Sequence, residues 1–281
     1  MEKILSDTRA RMLETLKGMP ILGCGTFPLR GDETYRTVRM AIDLGIYHID
    51  TAQMYGNEAD VGRAIRDCGV PRHELYVVTK VDPGNLSDDK FASSVAGSMD
   101  DLGGPADLLL IHWPPEAKEF DAALDRLVAE MQKGMTRHIG VSNFTSNMMR
   151  RAYERTNGKI INNQVEFHPL LDQRTLLAEA KKFGVVLSAY SPLGRGAAMK
   201  PEVIQGIAKR IGRSPSEVVL RWIVQQGVIA MPMTTKRENA LSNLAALDFE
   251  LSSDDMTAIS KIGRLEGRLI NPSWMAGRWN E

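Results

Sequence analysis

Four polar residues in the first half of the chain could together move a proton. Asp50 ends the run His48-Ile49-Asp50, and Tyr55 follows five residues later, just before Gly56-Asn57-Glu58 opens a helix. Lys80 closes Leu75-Tyr76-Val77-Val78-Thr79, and His112 closes Asp107-Leu108-Leu109-Leu110-Ile111. A carboxylate, a phenol, an amine and an imidazole at the ends of apolar runs suit the delivery of a proton to oxygen as negative charge builds there. A free phenol, with a pKa of about 10, is a reluctant donor or acceptor near neutrality. A neighbouring cation favours phenolate and lowers that value by roughly one to three units. The expected roles follow. Tyr55 is the expected proton donor to that oxygen and the acceptor in the reverse step. Lys80 makes the phenol more acidic, Asp50 holds and balances the lysine, and His112 orients the substrate oxygen as a neutral donor.

Residues so far apart converge only if something lines up the ends of their strands. Strands are expected at 22–27, 46–50, 75–80, 107–112, 137–141, 160–166, 185–190 and 228–231. Helices are expected at 32–44, 58–68, 87–102, 120–133, 145–155, 173–183, 201–211, 215–226, 238–244 and 252–262. A hairpin over 12–22 precedes them, and an irregular tail over 264–281 follows. Short apolar strands alternating eight times with amphipathic helices, with no linker, imply parallel strands joined by helical crossovers. Eight such units close as a (β/α)8 TIM barrel, one domain over 1–281, capped by the hairpin. A doubly wound open sheet would want Gly-x-Gly-x-x-Gly before its first helix. Gly23-Cys24-Gly25-Thr26-Phe27 supplies two of those glycines and then Pro28, so that reading fails.

In a barrel the reactive side chains stand where strands end. Those ends are Thr26, Asp50, Lys80, His112, Ser142-Asn143, Gln164, Tyr190 and Thr234-Thr235. Any one of them alone is more simply a loop cap or a satisfied core group. Eight on one rim make a site.

Composition narrows the partners. Lys plus Arg and Asp plus Glu are 35 each, so the net charge is zero, which gives no support to nucleic acid or an anionic membrane. Hydrophobic content of 43% and charged content of 25% are ordinary for a water-soluble globular chain. Two cysteines in no metal spacing fit a reduced cytoplasm. A metal-dependent barrel hydrolase would need clustered ligands, and of five histidines only His112 ends an expected strand.

The stretches HIDTAQMYGNE, VVTK, LLLIHWP, HIGVSNF (138–144), NNQVEFHP (162–169) and AYSPLG (189–194) together resemble the aldo-keto reductase family over about Gly18 to Asn280. The short loops and the tail are most similar to its bacterial 2,5-diketo-D-gluconate and methylglyoxal reductases. The resemblance implies a barrel that binds NADPH extended and reduces aldehydes and ketones, here small dicarbonyls or keto-sugar acids. It implies that Ser142, Asn143 and Gln164 hydrogen-bond the nicotinamide carboxamide and that Tyr190 stacks on its ring. Ser191, Leu193 and Gly194 would pass the pyrophosphate, with Thr26 at the ribose and Asp50 beside the cofactor.

After the eighth strand the pattern departs. Members with strong NADPH preference read Pro-Lys-Ser, then an arginine and a Glu-Asn pair. Here Met233 stands at the lysine, Asn239 at the arginine and Ser242 at the glutamate. Thr234, Thr235, Lys236 and Arg237 are expected to hold the 2′-phosphate and Asn243 the adenine, so NADPH is expected with some NADH use. The stretch Gly194-Arg195-Gly196-Ala197-Ala198 leads straight to a helix where longer relatives fold a belt, implying fast cofactor exchange. Phe27, Trp113 and Trp274 or Trp279 are the expected pocket walls, beside Tyr55 and His112. Val81-Asp82, replacing a bulky apolar residue, speaks against aromatic substrates. The expected state is a cytoplasmic monomer or weak homo-oligomer. The rival reading is a nicotinamide-binding sensor or regulatory module with little turnover.

Overall fold

The computed structural model describes residues 15–280, in which two antiparallel strands lead into eight parallel ones. β1 (Thr15–Leu16) and β2 (Met19–Pro20) form the hairpin around Lys17 and Gly18, both left-handed. Its expected first residues, 12–14, lie outside the described ones. The barrel strands are β3 (Gly23–Gly25), β4 (His48–Asp50), β5 (Tyr76–Val81), β6 (Ala106–Ile111), β7 (Thr136–Ser142), β8 (Ile160–Glu166), β9 (Val186–Tyr190) and β10 (Ile229–Met231). Each pairs in parallel with the next. The ring closes where Leu22 bridges Ala230 and the N–H of Gly25 donates to the Pro232 carbonyl at 3.0 Å. The fold is the (β/α)8 TIM barrel.

The crossovers are α1 (Gly31–Asp43), α2 (Glu58–Asp67), α3 (Phe91–Leu102), α4 (Phe120–Gln132), α5 (Ser146–Arg155), α6 (Arg174–Phe183) and the pair α7 (Glu202–Ile211) and α8 (Pro215–Val224). α9 (Arg237–Ala245) and α10 (Ser253–Ser260) follow the last strand. Starts are set by side chains that satisfy free backbone donors. Thr145, Ser214 and Ser252 accept from the N–H groups of Met148, Glu217 and Asp255. α3 starts later than the 87 expected, because Ser87 donates to Asp89 and the chain turns before Phe91.

Period-two burial sorts the strands into two cores. Leu109 and Ile111 point outward to the helices, whereas Leu108 and Leu110 join Tyr76, Val78, Ile229 and Met231 inside the ring. Met19 of the hairpin belongs to that inner cluster and closes the barrel floor. Gly140 has no room for more, since a Cβ there would lie 2.6 Å from the Asn162 carbonyl oxygen and 2.8 Å from Leu110. Among the described residues no helix is long and apolar enough to cross a membrane.

Candidate active site

The inner face of each strand, extended one step above the apolar core, gives the site. Along β5 the inward residues are Tyr76, Val78 and then Lys80; along β6 they are Leu108, Leu110 and, just past the strand, His112. Along β4, Asp50 stands above His48. Lys80 is fully buried, and its Nζ donates to Asp50 Oδ1 at 2.6 Å, to the Thr51 carbonyl at 2.8 Å and to the Tyr55 hydroxyl at 3.4 Å. Asp50 Oδ2 accepts from Gln164 Nε2 at 2.6 Å. Tyr55 enters on a short 3-10 turn, Gln53–Tyr55, which left-handed Gly56 ends. Its ring centroid lies 5.1 Å from that of Phe27 and 5.5 Å from that of His112. The four residues singled out for proton transfer therefore meet.

Their electrostatics differ from expectation at one point. Burial, and then the Asp50 charge, hold the Tyr55 phenol well above its ordinary value, outweighing the nearby Lys80 ammonium. Asp50 sits 2.6 Å from the ammonium and balances it, while the phenol oxygen is 3.4 Å away in a site that penalises phenolate. Burial also lowers Lys80 although Asp50 opposes it. Burial, then the charge of Lys80, keep His112 well below the usual imidazole range, and its Nδ1 is buried without a hydrogen-bond partner. Near neutrality Tyr55 thus carries its proton and His112 is uncharged.

Two supporting clusters escaped the sequence reading. Thr79 donates to Glu58 Oε1, and Ser98 to Glu58 Oε2 at 3.2 Å. Gln53 donates to Ser98 at 3.0 Å and accepts from the Asp82 N–H at 2.9 Å, which fixes the turn bearing Tyr55. Glu58 lies in the first turn of α2, where an acid reads as a dipole partner, so its burial leaves no sequence signal. At the end of β8, the Glu166 carboxylate accepts from the backbone N–H groups of Leu269 (2.7 Å) and Ile270 (2.9 Å) and from His168 Nε2 (2.9 Å). Burial pushes the Glu166 carboxyl up, but these bonds together hold it below its usual range.

A cavity of about 490 Å³ opens over Tyr55 and His112. Thr26, Phe27, Asp50 and Trp113 line it together with Tyr55, as do Asn143, Gln164, Tyr190, Ser191 and Leu193. Met54, Arg195, Met233 and Ile270 line it too, unforeseen. Thr26 donates to the Asp50 carbonyl at 2.9 Å. Left-handed Asn143 is itself bridged, donating to the His112 carbonyl (3.0 Å) and accepting from the Tyr190 hydroxyl (2.7 Å). Ser142 is buried and donates to the Gln164 carbonyl at 2.8 Å, and Gly194 is buried beside His168. Val81 faces the outer core, and Asp82 accepts from the Gly84 N–H at 2.7 Å. Neither lines the cavity, so they do not weigh against ring-bearing substrates.

The tail wall is Ile270. Trp274 and Trp279, the tail aromatics expected there, stand behind it, each packed against Trp113 with centroids 6.0 and 6.3 Å away. The Trp279 ring is occupied by the Arg268 guanidinium, 3.7 Å from its centroid. A second cavity of about 520 Å³ lies between this tail and α6, lined by Asp172, Arg268 and Trp279 and away from Tyr55.

Beyond the cavity lie the residues after β10. Thr234 accepts from the Lys236 N–H (3.1 Å) and from Asn239 (3.3 Å). Thr235, Lys236 and Arg237 are exposed at the start of α9, while Asn243 is buried. Ser242 donates to Glu217 at 2.8 Å, so α8 brings a carboxylate to the place where residue 242 has none.

The cavity lining includes the Asn143 and Gln164 amides, the Tyr190 ring and side-chain-free Gly25, groups that would admit a flat nicotinamide ring. A family model described as the Aldo/keto reductase family matches residues 21–264. The chain is 40% identical over 266 residues to methylglyoxal reductase DkgB of Escherichia coli O157:H7, covering 93% of this chain and 99% of that one. It is 39% identical over 251 residues to a 9,11-endoperoxide prostaglandin H2 reductase of Trypanosoma cruzi (strain CL Brener), covering 87% and 88%. A crystal structure provisionally described as a 2,5-diketo-D-gluconic acid reductase B superposes with a TM-score of 0.90 at 38% identity, covering 93% and 94%. A mutant of Gox0644 in complex with NADPH superposes at 0.85 and 33% identity, covering 90% and 93%.

Proposed function

The chain belongs to the aldo/keto reductase family, and on that footing we propose that it catalyses NADPH-dependent reduction of aldehydes and ketones to alcohols, small dicarbonyls foremost. The observation that carries the reading is the meeting of Tyr55, Lys80, Asp50 and His112 under one cavity. Bound along the cleft, the dinucleotide would supply a hydride to the carbonyl carbon. Tyr55 hands its proton to the carbonyl oxygen as charge builds there, and Lys80 steadies the phenolate left behind. Asp50 keeps the lysine in place, and neutral His112 fixes the direction of the substrate oxygen. A phenol held above its ordinary value keeps its proton near neutrality, so the proton that reduction consumes is in place, whereas alcohol oxidation would need the phenolate.

Preference for NADPH rests on Lys236 and Arg237, exposed beside Thr234 at a helix start where a phosphate is well received. The NADPH complex of a similar structure supports it. The two free thiols, Cys24 buried and Cys68 half-buried, suit a reducing compartment such as the cytoplasm. Named substrates of the relatives run from methylglyoxal to a prostaglandin endoperoxide, so kinship alone leaves the substituent open.

Tyr55→Phe removes only the hydroxyl. With methylglyoxal, NADPH oxidation should fall by roughly 10²–10⁴-fold, while NADPH still quenches tryptophan fluorescence. Turnover kept in that variant would sink the mechanism.

A further inference from the structure

We infer that Gln53 is the positioning residue for Tyr55, and that the Ser98 hydroxyl links it to Glu58. This rests on the reductase reading above and adds to it a residue that never meets the substrate. Tyr55 ends a three-residue 3-10 turn whose main-chain bonds stay local. The Tyr55 N–H donates to the Ala52 carbonyl and the Gly56 N–H to the Gln53 carbonyl, both at 3.0 Å. A turn that short has little stability of its own. No side chain caps its start, and Met54 at its centre is 40% exposed. Among the described residues, two sets of side-chain hydrogen bonds tie 52–56 to the rest of the protein. One is the 3.4 Å bond from Lys80 to the phenol itself, and the other is made by Gln53.

Gln53 Oε1 accepts from the Asp82 N–H at 2.9 Å and from Asn85 Nδ2 at 3.0 Å, which fills both lone pairs. A second 3-10 turn, Pro83–Asn85, presents these donors, and the Asp82 carboxylate caps it by accepting from Gly84. Asp82 stands two residues beyond Lys80. The stretch that carries the ammonium therefore also holds the turn that carries the phenol. On the other side, Gln53 Nε2 donates to Ser98 at 3.0 Å, and that buried hydroxyl has Glu58 Oε2 and the Ser94 carbonyl as acceptors, each at 3.2 Å. Glu58 also accepts from Thr79, the neighbour of Lys80 on β5. Two residues before Tyr55 and three after it, the chain is thus fastened next to the lysine. Neither Gln53 nor Ser98 lines the cavity, so both act through the phenol. Asn57 holds the chain beyond the turn independently, accepting from Thr51 at 2.6 Å and donating to the Leu29 carbonyl at 2.9 Å. Loss of Gln53 would free the turn and leave the barrel intact.

Gln53→Met keeps the length of the side chain and removes its hydrogen bonds. In single turnovers with saturating methylglyoxal, the rate of NADPH oxidation should fall by about tenfold to a hundredfold, the loss that goes with a reacting group displaced by about 1 Å. The methylglyoxal concentration giving half the maximal rate, and the affinity for NADPH read by tryptophan quenching, should stay within about twofold. Placed in Tyr55→Phe, the same change should leave the residual rate unaltered, since a residue that works through the phenol has nothing left to position. A wild-type rate in Gln53→Met, a loss confined to ligand affinity, or an equal loss with and without the phenol would each overturn the inference. Should Gln53→Met not fold, Ser98→Ala, which cuts the link to Glu58, decides it by the same cycle with a smaller loss of about threefold. A wild type that oxidises no NADPH with methylglyoxal or 2,3-butanedione would instead overturn the reductase reading.

Discussion

The two ends of the proposed cofactor cleft are built on different terms. At the deep end Asp50, Lys80 and His112 are buried, each at a strand end, and Asp50 and Lys80 are bonded to neighbours on other strands. At the outer end Thr235, Lys236 and Arg237 are exposed at the start of one helix, and the Thr234 hydroxyl accepts from the Lys236 N–H and from Asn239. Proton transfer to a developing oxyanion gains from a low dielectric and fixed geometry, which strand ends inside a closed sheet supply. Recognition of a phosphate needs charge within reach, which a helix start on the surface can give and can lose by a single substitution.

If the deep end is knit by its charges, breaking the pair there should do most harm. Lys80→Met leaves the Asp50 carboxylate buried with Gln164 as its remaining side-chain partner. Loss of one partner of a buried pair costs about 3–5 kcal/mol, a melting temperature lower by on the order of 10 °C. Turnover should vanish with it, and a variant that melts like the wild type would show the pair to be dispensable. At the outer end the double change Lys236→Ala/Arg237→Ala should weaken NADPH by about tenfold, leave NADH alone and leave melting unmoved. An equal loss for both cofactors, read by fluorescence titration, would remove these residues from the 2′-phosphate.

The smallest effect is on acid stability and belongs to the deep end alone. Burial keeps His112 and His48 neutral, both below the ordinary 6.5. Below that value the unfolded chain takes up protons first, so stability falls with pH from about 6.5 downward and is fully present above it. Melting between about pH 8 and pH 5 should therefore drop by roughly a few degrees, and a flat profile would contradict buried neutral imidazoles.

The same contrast explains what could be read in advance. Alternation of strand and helix and the polar strand ends gave the barrel and the residues that meet under the cavity, since period two fixes which strand side chains share a face. Boundaries drifted where local side chains intervened, as at Ser87-Asp88-Asp89. The first strand was expected over 22–27 and is Gly23–Gly25, with Leu22 held only by a bridge to Ala230. The sign of the Tyr55 shift was out of reach, because it depends first on how deeply the fold buries the phenol and then on the Asp50 charge beside it. Glu58 and Glu166 were hidden for a related reason: an acid at a helix start or strand end looks solvated until the tertiary fold covers it.

Glu166 has one more implication. Its carboxylate grips the tail through main-chain N–H groups at residues 269 and 270, which every amino acid but proline offers alike. The anchorage is therefore blind to the side chain it presents to the cleft. Position 270 can change shape or polarity while the tail stays docked, so evolution, or an engineer, can retune what the enzyme accepts there without reopening the barrel.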